Sequence, residues 1–262
     1  MKFISSSNDL SVYLDLNIAK GIPIKNISID TRTIKKDSLF IAIKGDKFDG
    51  NDFVEEAFER GANLAIVDNK KLIKIRNKNI IYVKNTIGAL KKISENIIKK
   101  YNGNVIAITG SNGKTTTTNI IANSLTNTSK TIENYNNEIG MPLSIINASP
   151  KSKNIIIEIG AAKAGDINYL SKILKPLIGV ITNIGNSHLE TLKNINGVLR
   201  VKSEIVNNIK KDGYLIVPNE NKEHLRHWKL IRDDINIYSF GMTKSADFFA
   251  SDIKVKKEGM HF

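Results

Sequence analysis

Cysteine is absent from this chain of 262 residues, tryptophan occurs once and proline five times. Without cysteine there is no disulfide, no thiolate nucleophile and no sulfur-ligated metal, and the composition fits a reducing compartment. The sequence also lacks hydrophobic runs of membrane-spanning length and an apolar stretch of signal-peptide type at its start. We therefore predict a cytoplasmic protein without membrane insertion.

The composition is that of a soluble globular protein, with 41% hydrophobic and 25% charged residues over a length that suits two domains. A formal net charge of +13 is of the kind that nucleic-acid-binding proteins carry. The lysines are scattered, however, and the one dense basic stretch, residues 70–78, is more typical of a solvated face or loop. Nucleic-acid binding is thus the least favoured function, and we expect no nucleic-acid partner.

Residues 105–118 have the pattern of a strand, a phosphate loop and a helix. The apolar start suits a buried parallel strand, and Gly110 and Gly113 allow a tight turn whose N–H groups surround phosphate oxygens. Lys114 can reach the terminal phosphates, and Thr115 can offer its hydroxyl to Mg²⁺. The usual spacing asks for a further glycine at position 108, where this chain has isoleucine. The predicted residues of this nucleotide triphosphate site, which the resemblance described below makes an ATP site, are Gly110, Ser111, Asn112, Gly113, Lys114, Thr115 and Thr116.

The segments on either side of this loop differ in pattern. Before it, short apolar runs alternate with polar turns and with a helix over residues 52–61 that Asp52 would cap, which predicts a small α/β unit. After it, strands and helices alternate as in a doubly wound, mostly parallel sheet. We predict an α/β protein with domains at residues 1–84 and 85–262. The second domain is expected to be incomplete, because residues 252–256 resemble the opening of a strand pair without its completion.

Polar residues stand at the ends of predicted strands, where ligands of parallel sheets gather. Glu158 ends an apolar strand and needs a metal or a basic partner, because an unpaired buried carboxylate is costly. We favour Mg²⁺ over a simple ion pair. His188 follows another strand, and an idle loop residue is as consistent with its position as a metal or phosphate ligand. Lys202 begins a predicted helix, and from periodicity alone it is an ordinary surface lysine.

These blocks together resemble the Mur ligases, the ATP-dependent amide-forming enzymes that build the peptide of peptidoglycan. The resemblance covers essentially the whole chain and rests on residues 109–116, 158–161, 183–190 and 200–204. Residues 134–143 resemble the Asn-rich block of members that add D-alanyl-D-alanine, rather than the Thr-Thr-Pro block of those that add diaminopimelate or lysine. Residues 28–32 and 39–53 resemble the uridine-binding domain of these enzymes, which argues against the related folylpolyglutamate synthases.

The resemblance implies a monomeric, ATP- and Mg²⁺-dependent ligase of peptidoglycan synthesis. Its substrates would be UDP-N-acetylmuramoyl-tripeptide, activated as an acyl phosphate, and D-alanyl-D-alanine. The implied catalytic residues are Lys114, Lys202 and His188. The implied metal-binding residues are Thr115, Glu158, His188 and Lys202, the last at the position that is N-carbamylated in related ligases. The implied UDP-substrate-binding residues are Asp30, Thr31, Arg32, Lys44, Gly45, Asn136 and Asn137, although turn chemistry and a surface ion pair explain the same residues without a ligand.

Mur ligases carry a third, carboxyl-terminal domain that binds the incoming amino acid or dipeptide, and the resemblance does not extend to it. We therefore expect this chain to bind the UDP-substrate and, weakly, nucleotide without completing ligation. Two alternatives stay open. One is a ligase that adds diaminopimelate or lysine, and the other is a non-catalytic module that holds UDP-muramoyl peptide or nucleotide.

Overall fold

The computed structural model describes residues 2–18, 21–187, 189–256 and 259–261. Its contacts divide the chain into two compact units, Met1–Tyr101 with Glu138–Lys151 and Asn102–Asn137 with Ser152–Phe262. Both units are α/β, as predicted. The boundary expected after Lys84 falls inside the first unit, because the helix that follows it packs with that unit's elements.

The elements are numbered in chain order. The strands are β1 Asn26–Ser28, β2 Ser38–Ile41, β3 Ala62–Val67, β4 Ile80–Tyr82, β5 Asn104–Thr109, β6 Thr128–Lys130, β7 Asn154–Glu158, β8 Ile178–Ile181, β9 Tyr214–Pro218, β10 Asn236–Gly241, β11 Phe248–Phe249, β12 Lys254–Lys256 and β13 Gly259–His261. The helices are α1 Ser7–Leu14, α2 Val54–Glu59, α3 Thr86–Lys100, α4 Lys114–Ser124, α5 Gly140–Asn147, α6 Asp166–Leu174, α7 Leu189–Leu192, α8 Ile195–Ser203 and α9 Lys222–Lys229. Short 3₁₀ turns lie at Thr31–Thr33, Gly50–Phe53, Lys70–Lys74 and Glu204–Asn208.

The first unit is built on a parallel sheet in the order β1-β2-β3-β4, with α2 packed on the face that carries Phe40 and Val67. The predicted cap of this helix was wrong. Asp49, not Asp52, accepts a backbone N–H, and it caps the 3₁₀ turn that precedes α2. Helix α2 ends at Glu59, and the chain then turns at Gly61, whose φ of +113° suits glycine.

The second unit is built on a seven-stranded parallel sheet in the order β11-β10-β9-β8-β5-β7-β6. β5 lies between β7 and β8, and the apolar residues Ile106, Ile108, Ile156 and Val180 form a core under α4. Successive parallel strands on opposite sides of β5 open a crevice at their carboxyl ends, where ligands of such sheets bind. This confirms the predicted doubly wound sheet.

Two further predictions, one for a basic stretch and one for a strand pair, had different outcomes. Residues 70–78 lie in a 3₁₀ turn and a loop with exposed basic side chains, so this stretch is the solvated surface that its pattern favoured. The expectation of an uncompleted strand pair was wrong, because β12 pairs with β13 in antiparallel register. In the described part of the chain, no helix combines the length and apolar character that a membrane crossing requires.

Candidate functional site

The phosphate loop connects β5 to α4 and depends on two glycines with positive φ. Gly110 has a φ of +149°, and a Cβ built there would lie 1.9 Å from Thr182 Oγ1. Gly113, with a φ of +76°, caps α4 in the left-handed conformation. Thr182 Oγ1 donates to the Asn112 carbonyl at 2.6 Å, so the end of β8 fixes the path of the loop. Only glycine at position 110 allows this close approach.

The loop uses its first N–H groups for internal hydrogen bonds and leaves those at the start of α4 without a helical acceptor. Ser111 N and Asn112 N donate to the main-chain and side-chain oxygens of Asn183, at 3.2 and 2.9 Å. The first helical bond runs from Thr117 N to Gly113 O, so the preceding N–H groups of α4 have no helical acceptor. These amides and the positive helix end can together bind an anion.

The hydroxyl of Ser111 makes its hydrogen bonds to other residues of the protein. Its buried hydroxyl donates to the Gly185 carbonyl at 3.0 Å and accepts from Gly185 N and Ser187 Oγ, each at 2.9 Å. Of the predicted nucleotide-binding residues, Ser111 and Asn112 therefore shape the loop. Lys114 folds back over it, with Nζ at 3.0 and 3.3 Å from the carbonyls of Gly110 and Ser111.

Glu158 ends β7 beside this loop and is 2% exposed. Thr115 Oγ1 donates to Oε2 and Asn136 Nδ2 donates to Oε1, both at 2.7 Å. The ion pairs found among the described residues all lie elsewhere, so the simple ion pair weighed from the sequence is not the partner of Glu158. A buried carboxylate beside a hydroxyl offers the hard oxygen ligands that Mg²⁺ prefers. No group of three acidic, imidazole or thiol side chains with metal-site geometry occurs in the described ranges. Phosphate and water would therefore complete the coordination.

Lys202 differs from its sequence interpretation in both place and exposure. It lies in the last turn of α8, not at a helix start, and it is 1% exposed, not on the surface. Burial lowers the pKa of its amine from 10.5 to about 8, and the positive charge of Lys114 adds to this effect against the carboxylates of Glu204 and Asp166. The fold thus brings Lys202 within electrostatic reach of the phosphate loop. His188 lies outside the described residues.

A separate cavity of about 540 Å³ opens in the first unit. Asp30, Thr31 and Arg32 line it together with the rings of Phe48 and Phe53. Asp30 caps the 3₁₀ turn through Arg32 N and pairs with the Arg32 guanidinium, with Nη2 to Oδ2 at 2.6 Å. These hydrogen bonds lower the pKa of the Asp30 carboxyl. The cap and surface ion pair that the sequence allowed are therefore present, at the edge of a ligand-sized cavity.

The other predicted UDP-substrate residues are placed differently. Lys44 and Gly45 form a tight hairpin beside the cavity, in which Gly45 N donates to the Phe48 carbonyl at 2.9 Å. Asn136 and Asn137 belong to the second unit, where Asn136 contacts Glu158 and Asn137 is exposed. The seven residues are thus divided between the two units.

Comparison with known proteins matches this arrangement to one family. The Mur ligase middle domain matches residues 108–262, and the domain described as "Mur ligase family, catalytic domain" matches residues 23–104. The chain belongs to the Mur ligase family. This confirms the resemblance drawn from the sequence blocks.

Several relatives within the Mur ligases share one activity in their names. A UDP-N-acetylmuramoyl-tripeptide--D-alanyl-D-alanine ligase from Buchnera aphidicola subsp. Baizongia pistaciae is 37% identical over 265 residues, covering 100% of this chain and 57% of the relative. The crystal structure of MurF from Acinetobacter baumannii has a TM-score of 0.83 at 29% identity and covers 96% of this chain, which covers 58% of it. MurF from Thermotoga maritima in complex with ADP has a TM-score of 0.78 at 29% identity, with coverages of 90% and 54%. The chain spans about half the length of these Mur ligases.

Sequence reasoning missed the residues that hold the Lys202 end of α8 in this Mur ligase. Trp228 is fully buried, and its Nε1 donates to Ser203 Oγ at 2.9 Å. Ser203 Oγ in turn donates to the Leu199 carbonyl at 2.7 Å. Glu204 accepts from Gly165 N at 2.8 Å and so joins α8 to the start of α6. The single tryptophan of the chain was the available signal for such a contact.

Proposed function

We propose that this chain forms the nucleotide-binding and UDP-substrate-binding parts of an ATP- and Mg²⁺-dependent ligase that joins D-alanyl-D-alanine to UDP-N-acetylmuramoyl-tripeptide. The observation that carries the proposal is the junction of Lys114, Thr115 and Glu158 at the carboxyl ends of β5 and β7. The names of the Buchnera relative and of the Thermotoga complex with ADP support the substrate and the nucleotide.

The second unit would hold ATP by its phosphates. The free N–H groups at the start of α4 and the Lys114 ammonium would bind the phosphate oxygens, because both present fixed positive charge to them. Thr115 Oγ1 and Glu158 Oε2 would hold Mg²⁺, which neutralises phosphate charge when it is bound.

The reaction would proceed through an acyl phosphate. A carboxylate oxygen of the tripeptide attacks the γ-phosphorus, and the bond to the bridging oxygen breaks with ADP as the leaving group. The amine of D-alanyl-D-alanine then attacks the acyl carbon, phosphate leaves and the amine loses a proton. The contribution of Lys114 and the loop amides is positioning and stabilisation of the charge on the transferred phosphoryl group.

We propose that Lys202 acts as a carbamate. Its lowered pKa leaves part of the amine uncharged near neutral pH, and a neutral amine adds to carbon dioxide with formation of an N–C bond and loss of a proton. The product would replace a buried cation beside Lys114 with an anion. This carbamate and His188 would hold a second Mg²⁺.

The first unit would bind the uridine end of the substrate in the cavity bordered by Asp30, Thr31 and Arg32, with the hairpin of Lys44 and Gly45 at its edge. The exposed ring of Phe48 suits a nucleobase, and the Arg32 guanidinium suits a diphosphate.

The nucleotide part is tested by binding a fluorescent ADP analogue to the purified chain in the presence of Mg²⁺. We expect Lys114→Ala to weaken binding at least roughly tenfold, because a charge-assisted hydrogen bond to phosphate is lost. Lys172→Ala, which removes the same charge from the exposed face of α6, is the matched control. Equal affinities of the wild-type chain and the Lys114→Ala variant would contradict the proposal.

A further inference from the structure

Residues 131–137 cross over the end of β7 and are fixed to it on both sides of Glu158. Thr131 N donates to the Ile156 carbonyl at 3.0 Å, and Glu158 N donates to Thr131 Oγ1 at 2.7 Å. Beyond Glu158, Gly160 N donates to the Asn136 carbonyl at 2.8 Å. The segment therefore has one register against β7, and this register sets where the Asn136 side chain lies.

The Asn136 amide and the Thr115 hydroxyl bind different oxygens of the Glu158 carboxylate. Its Nδ2 donates to Oε1 at 2.7 Å, while Thr115 Oγ1 donates to Oε2 at the same distance. Each carboxylate oxygen thus has its own donor, and rotation of the carboxylate would break both bonds. Resting on the proposed function, we infer that Asn136 is a positioning residue that holds Glu158 Oε1 and so keeps Oε2 beside Thr115 for Mg²⁺.

Gly160 makes room for this amide. A Cβ built on Gly160 would lie 2.9 Å from Asn136 Oδ1, which is closer than real contacts allow, and 3.1 Å from its Cγ, which is unusually tight. The φ of Gly160 is outside the left-handed region, so a side chain there meets a steric conflict and no backbone strain. Alanine at position 160 would therefore displace the Asn136 amide, because the end of a flexible side chain yields more readily than two backbones joined by a hydrogen bond.

The experiment measures the affinity of a fluorescent ADP analogue for the purified chain with Mg²⁺ and with EDTA, and takes the ratio as the Mg²⁺ gain. We expect Asn136→Ala to reduce the Mg²⁺ gain at least roughly tenfold, as loss of a group that orients a metal ligand does. The affinity in EDTA should stay within about twofold, because the loop amides and Lys114 are unchanged.

Three further variants sharpen the test. Gly160→Ala should reproduce the reduced gain with the Asn136 amide still present. Asn134→Ala, an exposed asparagine of the same segment, is the matched control and should keep the wild-type gain. In a Glu158→Gln background, Asn136→Ala should cause no further loss, because the group it positions is gone.

The contrary outcomes separate the inference from the proposed function. If Asn136→Ala and Gly160→Ala both keep the wild-type Mg²⁺ gain but bind UDP-N-acetylmuramoyl-tripeptide more weakly, Asn136 contacts the substrate. That result would overturn the inference and leave the proposed function intact. If the affinity for the ADP analogue falls equally with Mg²⁺ and with EDTA and the melting temperature also falls, Asn136 is a packing residue, which likewise overturns the inference. No Mg²⁺ gain in the wild-type chain would reject the proposed function and the inference with it.

Discussion

The amine of Lys202 shows how burial changes the chemistry of a single side chain. Its pKa of about 8 in the folded chain lies below its ordinary value of 10.5, so the folded state binds this proton less tightly than the unfolded state. Folding then carries the full cost of a buried charge below pH 8. Between pH 8 and 10.5 the unfolded state holds more protons, and stability rises with pH.

Replacement of Lys202 by methionine should remove that cost. Measured by urea unfolding in buffers without carbon dioxide, Lys202→Met should be more stable than the wild-type chain by about 3 kcal/mol near pH 7, the free energy of the pKa shift. The difference should shrink from pH 8 upward and vanish near pH 10.5. Lys172→Met on the exposed face of α6 should show no such pH dependence. A difference between Lys202→Met and the wild-type chain that stays constant with pH would contradict this account.

At the scale of elements, the phosphate loop contains two glycines that are needed for different reasons. Gly113 has a left-handed φ but open space where a side chain would stand, since beyond its immediate chain surroundings no atom of the described residues lies within 4 Å of that place. Gly110 combines a φ of +149° with close approach to Thr182. At the turn into α4, glycine is needed only for its left-handed backbone conformation. At the turn out of β5, glycine is needed both for its positive φ and because a side chain would collide with Thr182.

Alanine substitutions should separate these two requirements. Gly113→Ala should lower the free energy of unfolding by about 1–2 kcal/mol, the cost of a left-handed residue with a Cβ. Gly110→Ala should cost at least about 1 kcal/mol more, because Thr182 must also move and its bond to Asn112 is disturbed. Urea unfolding gives both values. Thr182→Ala should recover part of the Gly110→Ala loss, and equal costs at the two glycines would disagree with the structure.

Sequence patterns predicted the elements wherever local chemistry determines them. The apolar runs of β5 and β7 are local features of the sequence, and the structure confirms both strands. Lys202 could not be interpreted in this way, because its burial arises from packing among α6, α8 and the following 3₁₀ turn. The same holds for Asn136, whose partner lies 22 positions away in the sequence. Long-range contacts of this kind leave no periodic signal.

At the scale of the whole molecule, the proposed ligands fall on different units. UDP would bind at the cavity of the first unit and Mg²⁺-ADP at the phosphate loop of the second. Each ligand stabilises the folded elements that it contacts by mass action, by about 2.7 kcal/mol at a concentration of 100 Kd.

Hydrogen exchange followed by mass spectrometry should therefore give two distinct footprints. UDP should slow exchange at residues 30–32 and 44–50, and Mg²⁺-ADP at residues 110–118. Arg32→Ala should abolish the first footprint only, and Lys114→Ala the second only. Loss of both footprints in either variant would contradict the proposal that the two ligands bind to separate units.

The path of the chain between the units bears on how the protein is made. Residues 138–151 leave the second unit's sequence to supply α5, which packs on α3 and buries seven of its eight residues in the first unit. Residues 102–137, with β5 and β6, are thus translated before the first unit has its last helix. A nascent chain usually folds its amino-terminal domain first. Here β5 and β6 of the second unit must be synthesised before the first unit can complete its core, so folding of the two units overlaps in time. Because the chain passes between the units more than once, no single cleavage of the backbone separates them.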